Sequence, residues 1–306
     1  MPSLAEVRAF NATFKPIYLP VALFVGGTSG VGQTLAKAFA CITNGNAHII
    51  ICGRNRAAAE ATIASFPKPT QEGSVHEFVE CDVTLMKNVR KTTNELLSRL
   101  KKLNFLSVSP SIVTFNGRTE TEEGIDWKMA LHYYARWMFI HDLMPLLRKA
   151  KDAGEDASVM TILGAGRGGP IDLNDLDINE SYDLGKAAKA TNTYNDLMLE
   201  SFHEQNPDVG FTHQNPGAVN TNIIKNSNIP GKSIMQFVLY PIAAALTRSP
   251  EEAGHYLLHG LLRGAEKGGV YRREPHGVDI GKAKYFGSDE KTKAVWEHTV
   301  KTTSVS

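Results

Sequence analysis

The segment Val21-Ala22-Leu23-Phe24-Val25-Gly26-Gly27-Thr28-Ser29-Gly30-Val31-Gly32-Gln33-Thr34-Leu35-Ala36-Lys37-Ala38-Phe39 passes from an unbroken apolar run, through clustered glycines, to apolar positions at helical spacing. A strand buried on both faces needs such a run, and Val31, Leu35 and Phe39 would form one helix stripe. The segment therefore predicts strand, tight turn and helix. Glycines let backbone N–H groups approach a phosphate with no Cβ in the way, and the helix N-terminus aims unpaired amides and a positive dipole end at the anion. The predicted cradle is lined by Gly26, Thr28, Ser29, Gly30 and Gly32.

A cradle of this kind opens a βαβ unit, and the chain continues in that alternation. His48 to Cys52 is a second apolar run, closed by Gly53-Arg54-Asn55-Arg56. In dinucleotide folds an acidic side chain at this strand end binds the ribose 2′-hydroxyl of NAD, whereas a cation accommodates the 2′-phosphate of NADP. No Asp or Glu lies between Gly45 and Ala59, so Arg54 predicts NADPH/NADP+. Further strands are expected at Val75–Glu80, from Asn104, at Ser158–Leu163 and at Val209–His213. Helices are expected at Arg56–Ser65, Met86–Leu100, Ile125–Lys149 and from Tyr182 to about Gln205. The predicted fold is one α/β domain over residues 1–306, a doubly wound parallel sheet with its core over about 21–270. Residues 1–20 read as a polar leader, and 271–306 as a C-terminal extension trailing over the surface.

With 33 basic against 32 acidic side chains the chain is nearly neutral, which gives nucleic acid no electrostatic footing. No secretory signal is visible, and the apolar stretch Ile234–Leu246, broken by Gln236 and Pro241, is too short to span a membrane. A cytoplasmic protein is expected, with Cys41, Cys52 and Cys81 as buried reduced thiols. His255 and His259 lie four apart but lack a His-Glu-x-x-His pattern, so no metal site is expected.

The spacing Gly26-x-x-x-Gly30-x-Gly32, together with Tyr182-x-x-x-Lys186 and Asn215-Pro216-Gly217-Ala218-Val219-Asn220-Thr221, resembles the short-chain dehydrogenase/reductase family. The texture, including Gly117-Arg118-Thr119-Glu120 and His132 to Trp137, is similar to fungal members associated with secondary metabolism. The resemblance implies that Tyr182 and Lys186 form a catalytic dyad sharing one helix face. Lys186 would also hold the nicotinamide ribose, and Pro216, Gly217, Val219 and Thr221 would meet the nicotinamide. It implies adenine contacts from Asp82 and the Val83 backbone, where helix capping by Asp82 is the alternative reading. An ammonium within about 4–6 Å lowers a phenol pKa by roughly 1–3 units from about 10, which is how Lys186 would tune Tyr182.

Apart from Val25, which stands where the family usually has Thr, this chain departs from the family at three places. Val108-Ser109-Pro110-Ser111 stands where Asn-Asn-Ala-Gly is usual, leaving Ser109 as a weak substitute for a bracing amide. His132 occupies the place of a structural Asn, where it would keep a proton relay or simply pack. Leu163 or Gly164 falls where the catalytic serine belongs, and Thr161 lies about 6.6 Å further down the strand. Losing one oxyanion donor typically costs about 10²–10³ in rate. The expected function is NADPH-dependent oxidoreduction of a bulky apolar small molecule, with residues 222–248 as substrate lid or packing helix. A non-redox cyclase or isomerase using the same pocket, and a nucleotide-sensing protein without catalysis, are the alternatives. Tyr133, Tyr134, Trp137 and Phe139, spread around one helix, imply burial on more than one side, by core and partner subunit or by core alone, and the resemblance implies a helix that pairs two copies into a homodimer.

Overall fold

The computed structural model describes residues 1–220 and 247–304. The strands are β1 (Val21–Val25), β2 (His48–Gly53), β3 (Val75–Glu80), β4 (Phe105–Val108), β5 (Ser158–Ile162), β6 (Gly210–Gln214) and β7 (Gly269–Arg273). All pair in parallel in one sheet, in the order β3-β2-β1-β4-β5-β6-β7. Val25 is in register with Cys52 on one side and Val108 on the other, so the strand order reverses at β1. A ligand crevice opens at the carboxyl ends of the strands flanking such a reversal.

The helices are α1 (Leu4–Asn11), α2 (Gly30–Ile42), α3 (Arg56–Ala64), α4 (Met86–Arg99), α5 (Trp127–Met129), α6 (Ala135–Asp152), α7 (Leu184–Gln205), α8 (Pro250–Lys267) and α9 (Asp289–Thr303). One apolar layer lies between the sheet and α4, α6 and α7, and a second between the sheet and α2, α3 and α8. Every residue of β1, β4 and β5 is buried, which is why their sequences do not alternate apolar with polar. Phe39 of α2, fully buried, meets Phe24 and Phe105 at ring-centroid distances of 5.7 and 5.4 Å. Burying such a ring contributes about 1.5–3 kcal/mol.

Both termini depart from expectation. Residues 1–20 are not simply a leader, because Ser3 and Glu6 close a capping box that starts α1. This helix docks on α8 through Asn11 Nδ2 donating to the His255 carbonyl at 2.9 Å, Arg8 to Glu251 at 2.7 Å, and Phe10 edge-on to His259. The C-terminal extension likewise does not trail, because α9 packs along α7 and the aromatic helix. Its buried face is Val295, Thr299 and Thr303, and the threonine hydroxyls bond back to the carbonyls of Val295 and Thr299. Polar residues that satisfy themselves inside a helix hide the apolar stripe that a sequence pattern relies on.

The expected helix Ile125–Lys149 is interrupted, since a π-helical turn over Ala130–Tyr134 separates α5 from α6. Its aromatic face, expected to seat a second copy, is covered by α9 of the same chain. Tyr133 Oη lies 2.6 Å from Thr299 Oγ1, Tyr134 Oη 2.8 Å from His298 Nε2, and Trp296 meets Trp137 and Phe202 edge-on. Ahead of α9 the chain is anchored by buried Arg272, which donates to Asp196 at 2.9 Å and to the carbonyls of Gly281, Ala283 and Lys284. Asp196 also accepts from His213 at 2.7 Å.

Candidate functional site

The glycine turn lies at the carboxyl end of β1. Gly26 has φ +83° and Gly30 φ +59°, backbone that side chains other than glycine rarely adopt. Ser109 fills the space beside the turn: a Cβ on Gly26 would stand 2.7 Å from its Oγ, and one on Gly32 only 2.2 Å. Ser109 also bonds across to β1, its N–H and Oγ both donating to the Val25 carbonyl at 2.9 and 3.0 Å. Ser29 sits at the N-cap of α2 without a side-chain capping bond, so the first-turn amides are not consumed by the helix's own cap. Thr28 lies against Gly53, where a Cβ would come within 2.8 Å of its methyl. A closely packed backbone turn ahead of an uncapped helix fits a pyrophosphate.

Arg54 is exposed at the end of β2, its guanidinium 4.0 Å from Asp82. Asp82 does not cap α4, contrary to one of its two expected roles. Its Oδ1 accepts from the Thr84 N–H and hydroxyl at 3.1 and 2.8 Å, which fixes the turn after β3 and leaves Oδ2 toward Arg54. The N-cap position of α4 is Leu85, and the cap comes from distant Glu123, which accepts from the Met86 and Lys87 amides at 2.6 and 2.9 Å. Val83 is buried, as are Cys52 near the end of β2 and Cys81 just after β3, whereas Cys41 on α2, expected to be buried, is exposed.

Past β6, Gly217 has φ +75° and its N–H donates to Asn215 Oδ1 at 2.9 Å, a turn that presents Pro216 at the strand end. Val219 forms an isolated parallel bridge with Arg248, so the two ends of the segment containing residues 222–248 are clasped together. Thr221 and residues 222–246 of the expected lid lie outside the described residues.

The dyad is not built as its spacing implies. α7 starts at Leu184 because Asp183 is the N-cap, its carboxylate accepting from the Lys186 N–H at 2.9 Å. Tyr182 therefore precedes the cap and shares no helix face with Lys186. Lys186 Nζ donates to Ser181 Oγ at 2.9 Å on the exposed surface. Tyr182 packs against the α4/α6/α7 core with its hydroxyl buried and without a partner among the described residues. The ammonium that faces its ring is that of Lys128, 5.3 Å from the centroid. Lys128 itself is held by Asp126 at 3.3 Å and by the Gly117 carbonyl at 2.9 Å.

At the end of β5, Gly164 donates to Asn192 Oδ1 at 2.7 Å, and a Cβ on Gly164 would stand 2.7 Å from that oxygen. The Gly164–Gly169 loop is clamped to α7 again through Gly169 and Thr193 Oγ1. Thr161 is fully buried in the strand. His132 lies in the π-helical turn, where its Nε2 accepts from the Ile112 N–H at 3.1 Å, so the proton of the neutral ring is on Nδ1. Enclosure by the chain, with Arg136 and Lys128 adding positive charge, holds this imidazole down at about 3. Its own carbonyl accepts from Asn195 Nδ2 at 2.8 Å.

Residues 20–155 match the family model for short chain dehydrogenases. An oxidoreductase of Emericella nidulans is 36% identical over 261 residues, covering 85% of this chain and 77% of that one. The chain belongs to the short-chain dehydrogenase family. The human polyprenol dehydrogenase is 25% identical over 273 residues, covering 82% of this short-chain dehydrogenase and 81% of its relative. The crystal structure of an NADPH-bound carbonyl reductase from chicken fatty liver shares the fold, with TM-score 0.58 at 15% identity over 87% of this chain and 100% of that one.

Sequence reasoning missed two residues that hold elements of this dehydrogenase in place, Glu123 at the start of α4 and Arg136 at the ends of β4 and β5. Glu123 left no local signal, because it caps a helix from 37 positions away. Arg136 did leave one, as a charged residue inside the uninterrupted buried run Tyr133–Ile140. A cavity of about 820 Å³ lies elsewhere, between the last turns of α7, β7 and α9, and shares no residue with the expected site. Among the described residues no cluster of His, Cys, Asp or Glu could hold a metal, and no helix is long and apolar enough to cross a membrane.

Proposed function

We propose that this short-chain dehydrogenase is an NADPH-dependent oxidoreductase acting on a carbonyl or alcohol of a bulky apolar small molecule, in secondary metabolite biosynthesis. The observation that carries the reading is the turn at Gly26–Gly32, closed by Ser109 and followed by an uncapped helix. Arg54 supports NADPH over NADH, since it stands exposed where the ribose 2′-phosphate would lie. An apolar substrate is supported by the exposed Val113 and Phe115 after β4 and by the Ile, Phe and Met content of residues 222–248. The covering of Tyr133, Trp137 and Phe202 by α9 supports a chain that does not dimerise through that face.

When bound, a nicotinamide exchanges hydride with the substrate carbon. Tyr182 Oη, free of other hydrogen bonds among the described residues, would give a proton to the carbonyl oxygen or take it from the alcohol. Lys128 faces the ring of Tyr182, and Lys186 would leave Ser181 for the ribose. One observation favours the non-redox or nucleotide-sensing reading instead: Leu163 and Gly164 offer no side-chain donor where the resemblance puts the serine.

Stopped-flow oxidation of NADPH against a panel of ketones, run beside Tyr182→Phe, tests the proposal. Turnover of the variant should fall by about 10²–10⁴. Equal turnover would remove Tyr182 from the mechanism, and NADPH binding without reduction of any ketone would favour the second reading.

A further inference from the structure

Arg136, on the first turn of α6, has no solvent exposure. Its Nη1 donates to the carbonyl of Val108, the last residue of β4, at 2.9 Å and to that of Ile162, the last residue of β5, at 3.0 Å. Nη2 donates to the Pro110 carbonyl at 2.8 Å, and Nε to Leu131 in the π-helical turn at 3.3 Å. Among the described residues no carboxylate lies within ion-pair distance of it, and burial pushes its guanidinium down to about 9. A buried cation with carbonyl partners alone is expensive to keep, and its planar fork reaches several acceptors where a methylene chain would reach none.

What it holds is the floor of the crevice. β4 and β5 pair in register up to Val108 and Thr161, so Ile162 and Pro110 lie beyond the last shared rung. Between Val108 and Pro110 stands Ser109, the residue that closes the glycine turn. We propose that Arg136 is a positioning residue for the pyrophosphate and nicotinamide end of the dinucleotide, clamping the ends of β4 and β5 so that Ser109 keeps the glycine turn shut. It does the bracing that side-chain amides would do, had this chain Asn-Asn-Ala-Gly after β4. The inference rests on the reading of the crevice as a dinucleotide site. The adenosine side, at Arg54 and Asp82, lies across β1 at the ends of β2 and β3 and takes no bond from Arg136.

The test compares Arg136→Met and Arg136→Lys with the full wild-type chain, titrating each with NADPH and, separately, with adenosine 2′-phosphate, which carries the adenosine side alone. Arg136→Met should lose roughly tenfold or more in NADPH affinity while adenosine 2′-phosphate stays within about twofold, with Arg136→Lys between the two. Loss of both ligands in parallel would mean general loosening of the fold and would overturn the proposal, as would two unchanged affinities. Where Arg136→Met does not fold, Arg136→Lys decides alone, since one ammonium cannot span both strand ends: NADPH affinity equal to wild type overturns the inference. A wild-type chain that takes up neither ligand would overturn the dinucleotide reading itself, an outcome read before any variant is made.

Discussion

Gly32→Ala separates the packing of the glycine turn from ordinary helix propensity, because the two predict opposite signs. Gly32 is within the first turn of α2, where alanine would normally stabilise a helix by about 1 kcal/mol. Here the added Cβ would stand 2.2 Å from Ser109 Oγ and 2.6 Å from the Gly26 carbonyl oxygen. The hydroxyl could be removed, but the backbone oxygen could not move without opening the turn. Overpacking of this kind costs about 1–3 kcal/mol, which exceeds the propensity gain. For a chain of this size about 1 kcal/mol corresponds to roughly 2–4 °C in Tm, so Gly32→Ala should melt a few degrees lower. NADPH affinity should fall as well, since the amides that face the phosphate are displaced. Ser109→Ala alone should cost about 0.5–1.5 kcal/mol by losing its bond to the Val25 carbonyl. In the double variant the penalties should be less than additive, because one clash is gone, yet not absent, because the carbonyl clash remains. Thermal denaturation and NADPH titration of the four proteins decide the matter. A Gly32→Ala protein that melts higher and binds NADPH as tightly as wild type would refute the turn as the cofactor's seat.

How far the sequence led depends on whether each residue's role was local. β1 and β2 were legible because parallel strands covered on both faces are largely apolar, as the runs Val21–Val25 and Ile49–Cys52 are. α4 was legible as a helix but not in its cap, since Glu123 reaches Met86 and Lys87 through the fold. Tyr182 was placed on a helix that Asp183 in fact starts after it; an Asp immediately before the helix was a usable signal, overridden by the Tyr-x-x-x-Lys spacing. α9 was missed because its buried face is threonine-rich, and it is α9 that covers Tyr133 and Trp137. Arg136 was missed although its apolar neighbours in Tyr133–Ile140 mark a buried stretch, because an Arg in sequence is read first as a surface charge.

Removing residues 288–306 should expose Tyr133, Trp137 and Phe202 and drive self-association, read by light scattering; a monodisperse truncated chain of unchanged size would contradict the role given to α9. Arg54→Glu should weaken NADPH by roughly 10–100-fold while leaving NADH unchanged or improved, and equal losses for both would remove Arg54 from the 2′-phosphate site. His132 is held neutral at about 3, below its ordinary value, so the unfolded chain takes up a proton that the folded ring refuses. Stability is therefore full above about pH 6.5 and declines as pH falls toward 3, by at most about 1.4 kcal/mol per unit from this group. His259, held at about 4 by burial and by Arg273 and Arg263, adds a decline over the upper part of the same range. Urea midpoints for wild type and His132→Asn near neutral pH and near about pH 5 check this: the variant's decline should be shallower, and parallel curves would contradict the assignment.

The central claim is tested most directly by isothermal titration of the wild-type chain with NADPH and with NADH. The account predicts one NADPH per chain, bound roughly tenfold or more tightly than NADH through the Arg54 contact with the 2′-phosphate. No heat from either dinucleotide, or NADH bound the more tightly, would contradict it.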